Sequence, residues 1–190
     1  SDSYQLTPWD FSYYSNKLKE YKFNVNSELL RPYFELSRVL NAVFNLSTRL
    51  YGISFVRNRD LPVYHEDVEA YEVYDEDGTF LALLYCDFYS RPSKKLGAWM
   101  TMFKEQWTDD EMCDSRPHVS IVMNFAKPTS EIPSLLSLEE VETLLHEFGH
   151  SLHAMFSKVK YRSLSCTNVL WDFVELPSQI MENYSVEPDF

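Results

Sequence analysis

The stretch SLEEVETLLHEFGHSLHAMFSKV, residues 137–159, decides how this chain is read. Its apolar residues recur at helical spacing, and Ser137 with Glu140 forms the S-x-x-E signature of a capped helix start. The helix carries three of the five histidines in the chain, His146, His150 and His153, with Glu147 among them. His146 and His150 are four residues apart, so they project from one face. Their Cβ atoms should lie about 6 Å apart, a separation at which both imidazoles reach one ion. Gly149 sits mid-helix, where it costs about 1 kcal/mol relative to alanine. That cost is explained if something must approach the helix closely, and a tight packing contact would serve equally well.

Glu147 directly after His146 completes the pattern H-E-x-x-H. In that arrangement two histidines bind zinc and the glutamate accepts a proton from the attacking water. The plain alternative is a helix whose imidazoles are merely packed or solvated. The capped helix, Gly149 and a carboxylate-rich segment downstream favour the metal. A catalytic zinc site needs a third protein ligand. One class takes a histidine six residues after the second, but that position here is Phe156. His153 lies too far along the axis to join the same tetrahedron and reads as an orienting or packing residue. The remaining class recruits a glutamate from a later helix. In LWDFVELPSQIMENY, residues 170–184, Asp172, Glu175, Gln179 and Glu182 form one polar stripe. Trp171, Phe173, Val174, Leu176 and Ile180 leave little face for water, so some of these carboxylates are expected to be buried and partnered. Pro177 delays or bends the helix. Spacing alone leaves both Glu175 and Glu182 open as the ligand.

Outward from this core, the first third reads helical. Thr7 is a candidate N-cap with Pro8 at the first helical position. SELLRPYFELSRVLNAVFNLSTRLYG carries Leu36, Leu40, Val43, Phe44 and Leu50 at helical spacing and stops near Gly52. The middle changes period. AYEVYDEDGTFLALLYCDFY has two β-rich runs on either side of Asp77-Gly78, a strong hairpin signal. HVSIVMNFA reads as another strand, and RPSKKLGAWMTMF as a continuation of the sheet. The expected class is α+β: a mostly helical zincin-like core with a small mixed or antiparallel sheet. One domain over 1–190 is expected, helical over 1–60, sheet over 61–127, with zinc-site helices over 137–185.

Bulk properties narrow the partners. The net charge of −12 repels phosphate backbones, so nucleic acid and anionic membranes are poor partners. No apolar run is long enough for a membrane span. Cys86, Cys113 and Cys166 are far apart and odd in number, which indicates neither a disulfide framework nor a cysteine zinc site. His65 and His118 read as structural. The chain opens SDSYQL without Met, so the natural N-terminus is expected to lie elsewhere, and localisation stays open between cytoplasm and periplasm.

HEFGHSLH followed by DFVELPSQIMEN resembles the zinc core of the thimet oligopeptidase family of metallopeptidases. The similarity runs upstream through LPVYHEDVEAYEVYDEDGTFLALLYCDFYSRPSKKLGAWM and includes LSCTN between the two helices, covering nearly the whole chain. RPSKKLGAWM is closer to the peptidyl-dipeptidase branch, which implies release of C-terminal dipeptides from short peptide substrates. The resemblance implies one Zn2+ held by His146, His150 and Glu175, with Glu147 as general base. Zinc-activated water would attack the peptide carbonyl while Glu147 takes its proton and passes it to the leaving amine. His153, Asp172 and Glu182 become candidates for orienting the imidazoles. Substrate in such enzymes lies along the sheet edge as an added strand, where Gly97, Ala98 and Trp99 are candidate contacts.

Family members are several hundred residues long, and their substrate-clamping tyrosine and histidine come well after the third ligand. The chain is therefore expected to be an excised core, able to bind zinc but weak or inactive as a peptidase, with the C-terminal portion of its own parent as a partner. The alternatives are a zinc-stabilised module without catalysis, or a helical interaction module with structural histidines.

Overall fold

The computed structural model describes residues 7–23, 27–109, 113–188 and 190. Helix α1, Pro8–Phe23, opens with its proline in the first turn, and the Thr7 backbone N–H donates to the Asp10 carboxylate at 3.0 Å. The Thr7 hydroxyl donates to that carboxylate as well, so residue 10 caps the turn more than residue 7 does. Residues 24–26 of the first helical third lie outside the described residues. Two 3-10 turns, Ser27–Leu29 and Arg31–Tyr33, then replace the helix expected from residue 27 onward. Pro32, which lacks an N–H and clashes with the preceding turn, explains the interruption.

Helix α2, Leu36–Tyr51, buries Leu36, Val39, Leu40 and Val43 and ends on Gly52, whose φ of 75° is the left-handed cap position. Leu50, expected on the buried stripe, is exposed instead, in the last turn of α2. A short strand β1, Ser54–Arg57, follows inside the segment expected to be helical; four residues are too few to show a period.

Strands β2, Glu69–Tyr74, and β3, Phe80–Tyr89, form the expected hairpin, with Gly78 at φ 82° closing the turn through its N–H to Asp75 O. The sheet is completed by β4, Trp99–Lys104, and β7, His118–Phe125, with the small ribbon β5, Trp107–Thr108, and β6, Asp114–Ser115, between them. Strand order is β1-β2-β3-β7-β4, with β3 and β7 parallel and the other neighbours antiparallel, so the fold is α+β with a mixed sheet. Strand β4 is one edge.

Helix α3, Leu138–Met155, begins with the capping box: Glu140 N–H donates to Ser137 Oγ, and Ser137 N–H to the Glu140 carboxylate. Its inner face, including Val141, Leu144, Leu145, Phe148 and Leu152, packs with α2 on one side of the sheet against Leu84, Cys86, Ile121 and Met123. Arg116 ties the far end of α3 to the sheet, donating to Met155 O, Ser157 O and Leu81 O. On the opposite face of the sheet, Asp87 is buried among Arg91, Lys94 and Tyr64. Helix α4, Trp171–Val174, and helix α5, Leu176–Glu182, meet at Glu175, the break that Pro177 in the first turn of α5 requires.

Candidate metal centre

Helix α5 lies against α3 at Gly149. A Cβ placed there would meet Pro177 O and Ser178 Cα at 2.6 Å, closer than any real Cβ contact. The glycine therefore lets two backbones touch, and this contact carries Glu175 over the face of α3 that presents His146 and His150.

The resulting geometry is convergent. Glu175 Oε2 lies 3.2 Å from His146 Nε2 and 3.2 Å from His150 Nε2. The three donor atoms all fall within 4.8 Å of one another. Ligands about 2.0–2.1 Å from a tetrahedral zinc are themselves about 3.3–3.4 Å apart, and both carboxylate–imidazole separations match that spacing, while the two imidazoles would draw together around an ion. Glu182 Oε1 occupies the other nitrogen of His146, Nδ1, at 2.6 Å. A neutral imidazole that donates from Nδ1 leaves Nε2 with a lone pair facing Oε2, so this contact is held either by a proton on Nε2 or by a cation between the two acceptors. Two imidazoles and a carboxylate make a donor set that could hold a divalent cation.

Burial pushes the His150 pKa down, as does the neighbouring His146, against an upward pull from Glu175; the neutral form is the one that ligates. His150 Nδ1 and His153 Nδ1 are buried without a hydrogen-bond partner among the described residues. His153 sits edge-on to Phe173, ring centroids 5.9 Å apart, and burial lowers its pKa. It reaches none of the three donor atoms. Glu147 is nearly buried, 7% exposed, between α3 and the edge strand. Burial raises its pKa, while the neighbouring His146 and the Met100 backbone N–H act to lower it.

Asp172 is exposed on α4, beside Leu170 and Phe173, and makes no hydrogen bond to a histidine; the break before α5 takes it off the Glu175 face. Of the carboxylates expected to be buried and partnered, Glu175 and Glu182 are partnered but stay 48% and 42% exposed. Trp171 is 94% exposed, and Phe173, Leu176 and Ile180 are exposed too, because Glu175 and Glu182 turn towards the histidines of α3 and leave the apolar residues outward. Gly97 has φ 97° with open space where a Cβ would be, so backbone conformation rather than close approach accounts for it. Ala98 packs on the main core, and Trp99 pairs with Val122 with its ring on the sheet face away from α3. None of the three touches the histidine cluster. His65 and His118 lie away from it as well, in the loop before β2 and at the start of β7.

Two groups at the site escaped the sequence reading. The Met100 N–H is a backbone group, invisible in residue types. Ser178, fully buried, places its hydroxyl 2.8 Å from Glu175 Oε2. Its only sequence signal is its spacing of three from a candidate ligand.

The family model described as peptidase family M3 matches residues 1–190. The chain is 45% identical to dipeptidyl carboxypeptidase of Escherichia coli K12, an alignment covering 97% of this chain and 27% of that protein. It is 39% identical to oligopeptidase A of the same organism, again over 97% of this chain and 27% of the relative. A probable cytosolic oligopeptidase A of Arabidopsis thaliana is 42% identical, with the same coverage, 97% and 27%. The chain thus spans about a quarter of the length of these curated relatives.

Proposed function

The chain belongs to peptidase family M3, and from that membership we propose that it carries the zinc-binding and general-base groups of a peptidase acting on oligopeptides. His146, His150 and Glu175 would hold one Zn2+, and Glu182 would fix the ring of His146 through Nδ1. When bound, zinc supplies Lewis acidity, which acidifies water and polarises a peptide carbonyl.

The chain's own residues account for the rest. Glu147 lies beside the Met100 N–H of β4, so a peptide added along this edge would run past its carboxylate. There Glu147 takes the proton of the attacking water and returns it to the departing amine nitrogen. Similarity to a dipeptidyl carboxypeptidase supports release of C-terminal dipeptides by the whole protein.

One observation carries the reading: a single oxygen of Glu175 stands 3.2 Å from both Nε2 atoms. Metal content after purification without chelator tests it. About one zinc per chain is expected, lost in Glu175→Ala and His146→Ala. Equal zinc in all three chains would refute the ligand set. In the whole protein, Glu147→Gln should retain zinc and lose peptide cleavage; cleavage at the wild-type rate would refute the general base.

A further inference from the structure

We propose that Ser178 is a positioning residue of this centre, its buried hydroxyl holding Glu175 Oε2 towards His146 and His150. The inference rests on the reading that these three groups bind zinc. Ser178 Oγ lies 2.9 Å from the Glu175 carbonyl and 2.8 Å from Glu175 Oε2. The first contact is the ordinary back-bond of a helical serine. The single hydroxyl proton is shared between the two, and the carboxylate Oε2, the oxygen that faces both imidazoles, is the stronger acceptor.

Glu175 needs such a restraint. Its side chain is 48% exposed and stands at the break between two helices, with three rotatable bonds and two equivalent oxygens. A carboxylate oxygen has two lone pairs. The hydroxyl takes one on Oε2 and leaves the other for the space between the histidines, so one oxygen and one rotamer are selected.

Ser178 itself has no room to move. It is fully buried, and its Cα sits where a Cβ on residue 149 would lie 2.6 Å away. The crossing of α3 and α5 is thereby converted into a position for Oε2: Gly149 seats Ser178, and Ser178 seats the carboxylate. Alanine at 178 keeps the packing and removes only the donor.

The test compares the wild type with Ser178→Ala and with Ser47→Ala. Ser47 is also fully buried, with Oγ 2.9 Å from Val43 O, but it lies on α2 away from the centre. Zinc affinity is read by competition with a chromophoric chelator, and ligand geometry by the visible absorption of the Co2+-loaded chain. Ser178→Ala should weaken zinc about ten-fold and alter the cobalt spectrum, on the scale known for groups that orient ligands. Ser47→Ala should lower only the melting temperature. Zinc affinity of Ser178→Ala within about two-fold of wild type overturns the inference and leaves the metal reading standing. A wild-type chain that binds no zinc, or binds it equally after Glu175→Ala, overturns both. Should Ser178→Ala fail to fold, Ser178→Gly, which removes the hydroxyl without adding bulk or a metal-binding group, carries the same comparison: weakened zinc supports the role, and unchanged zinc overturns it.

Discussion

Replacing Gly149 by alanine separates helix propensity from helix contact. On an exposed helix the change would stabilise by about 1 kcal/mol. Here the new Cβ would stand 2.6 Å from Pro177 O and Ser178 Cα and 3.0 Å from Pro177 C, where ordinary contact begins at 3.4 Å. All three neighbours are backbone, so none can rotate aside, and α5 must retreat by roughly 0.8 Å at the crossing. Overpacking of this kind costs about 1–3 kcal/mol, which outweighs the gain in propensity and leaves a net loss of up to about 2 kcal/mol. The more telling effect is on the metal. Glu175 directly precedes α5, so it moves with that helix, whereas metal–ligand distances tolerate only about 0.2 Å. Zinc affinity should therefore fall about ten-fold or more. Urea denaturation of the metal-free chain gives the first quantity and chelator competition the second. A variant more stable by about 1 kcal/mol with unaltered zinc affinity would show that α5 does not rest on Gly149, and the account of the site would fail.

Two further substitutions probe what holds the frame. Arg116→Ala removes donors to the carbonyls of Met155, Ser157 and Leu81, leaving the end of α3 uncapped; a loss of about 2–4 kcal/mol in urea denaturation is expected, and a loss under 0.5 would mean that water replaces the guanidinium. Asp87→Asn leaves Arg91 and Lys94, which are 15% and 2% exposed, without their counter-charge and should cost about 3–5 kcal/mol near neutral pH. Burial alone would push the Asp87 carboxyl up, but hydrogen bonds from Arg91 and Lys94 outweigh it and hold the pKa below the ordinary value. A depressed carboxyl stabilises the fold above its unfolded pKa of about 3.9 and loses that contribution as pH falls through the folded value. The gap in melting temperature between wild type and Asp87→Asn should thus narrow below about pH 4; a gap constant from pH 7 to pH 3 would contradict the ion cluster.

What the sequence shows of this protein is largely what is local. The capping box, the two histidines one turn apart and the glycine between them lie within one helix, so residue spacing converts directly into geometry. The Asp77-Gly78 hairpin is legible for the same reason. The parallel pairing of β3 with β7 is not, because strands whose centres lie far apart in the chain meet through tertiary packing. Strand β1 and the buried Asp87 cluster fail for related reasons: one is too short to show a period, and the other joins a loop to a strand through ions that look solvated in a list of residues.

The choice between Glu175 and Glu182 shows how far spacing goes. Seven residues are almost two helical turns, so any pattern that brings one carboxylate to the face of α3 brings the other as well. The two do not compete for one role, because His146 has two ring nitrogens and the structure gives one glutamate to each: Glu182 at Nδ1, Glu175 at Nε2. Only Glu175 also faces His150, and that difference depends on where α5 crosses α3 rather than on the stripe itself. The crossing is set by the absence of a side chain at residue 149 and the presence of a small, buried one at 178. Which carboxylate faces both imidazoles is therefore decided by a glycine and a serine, residues outside the polar stripe.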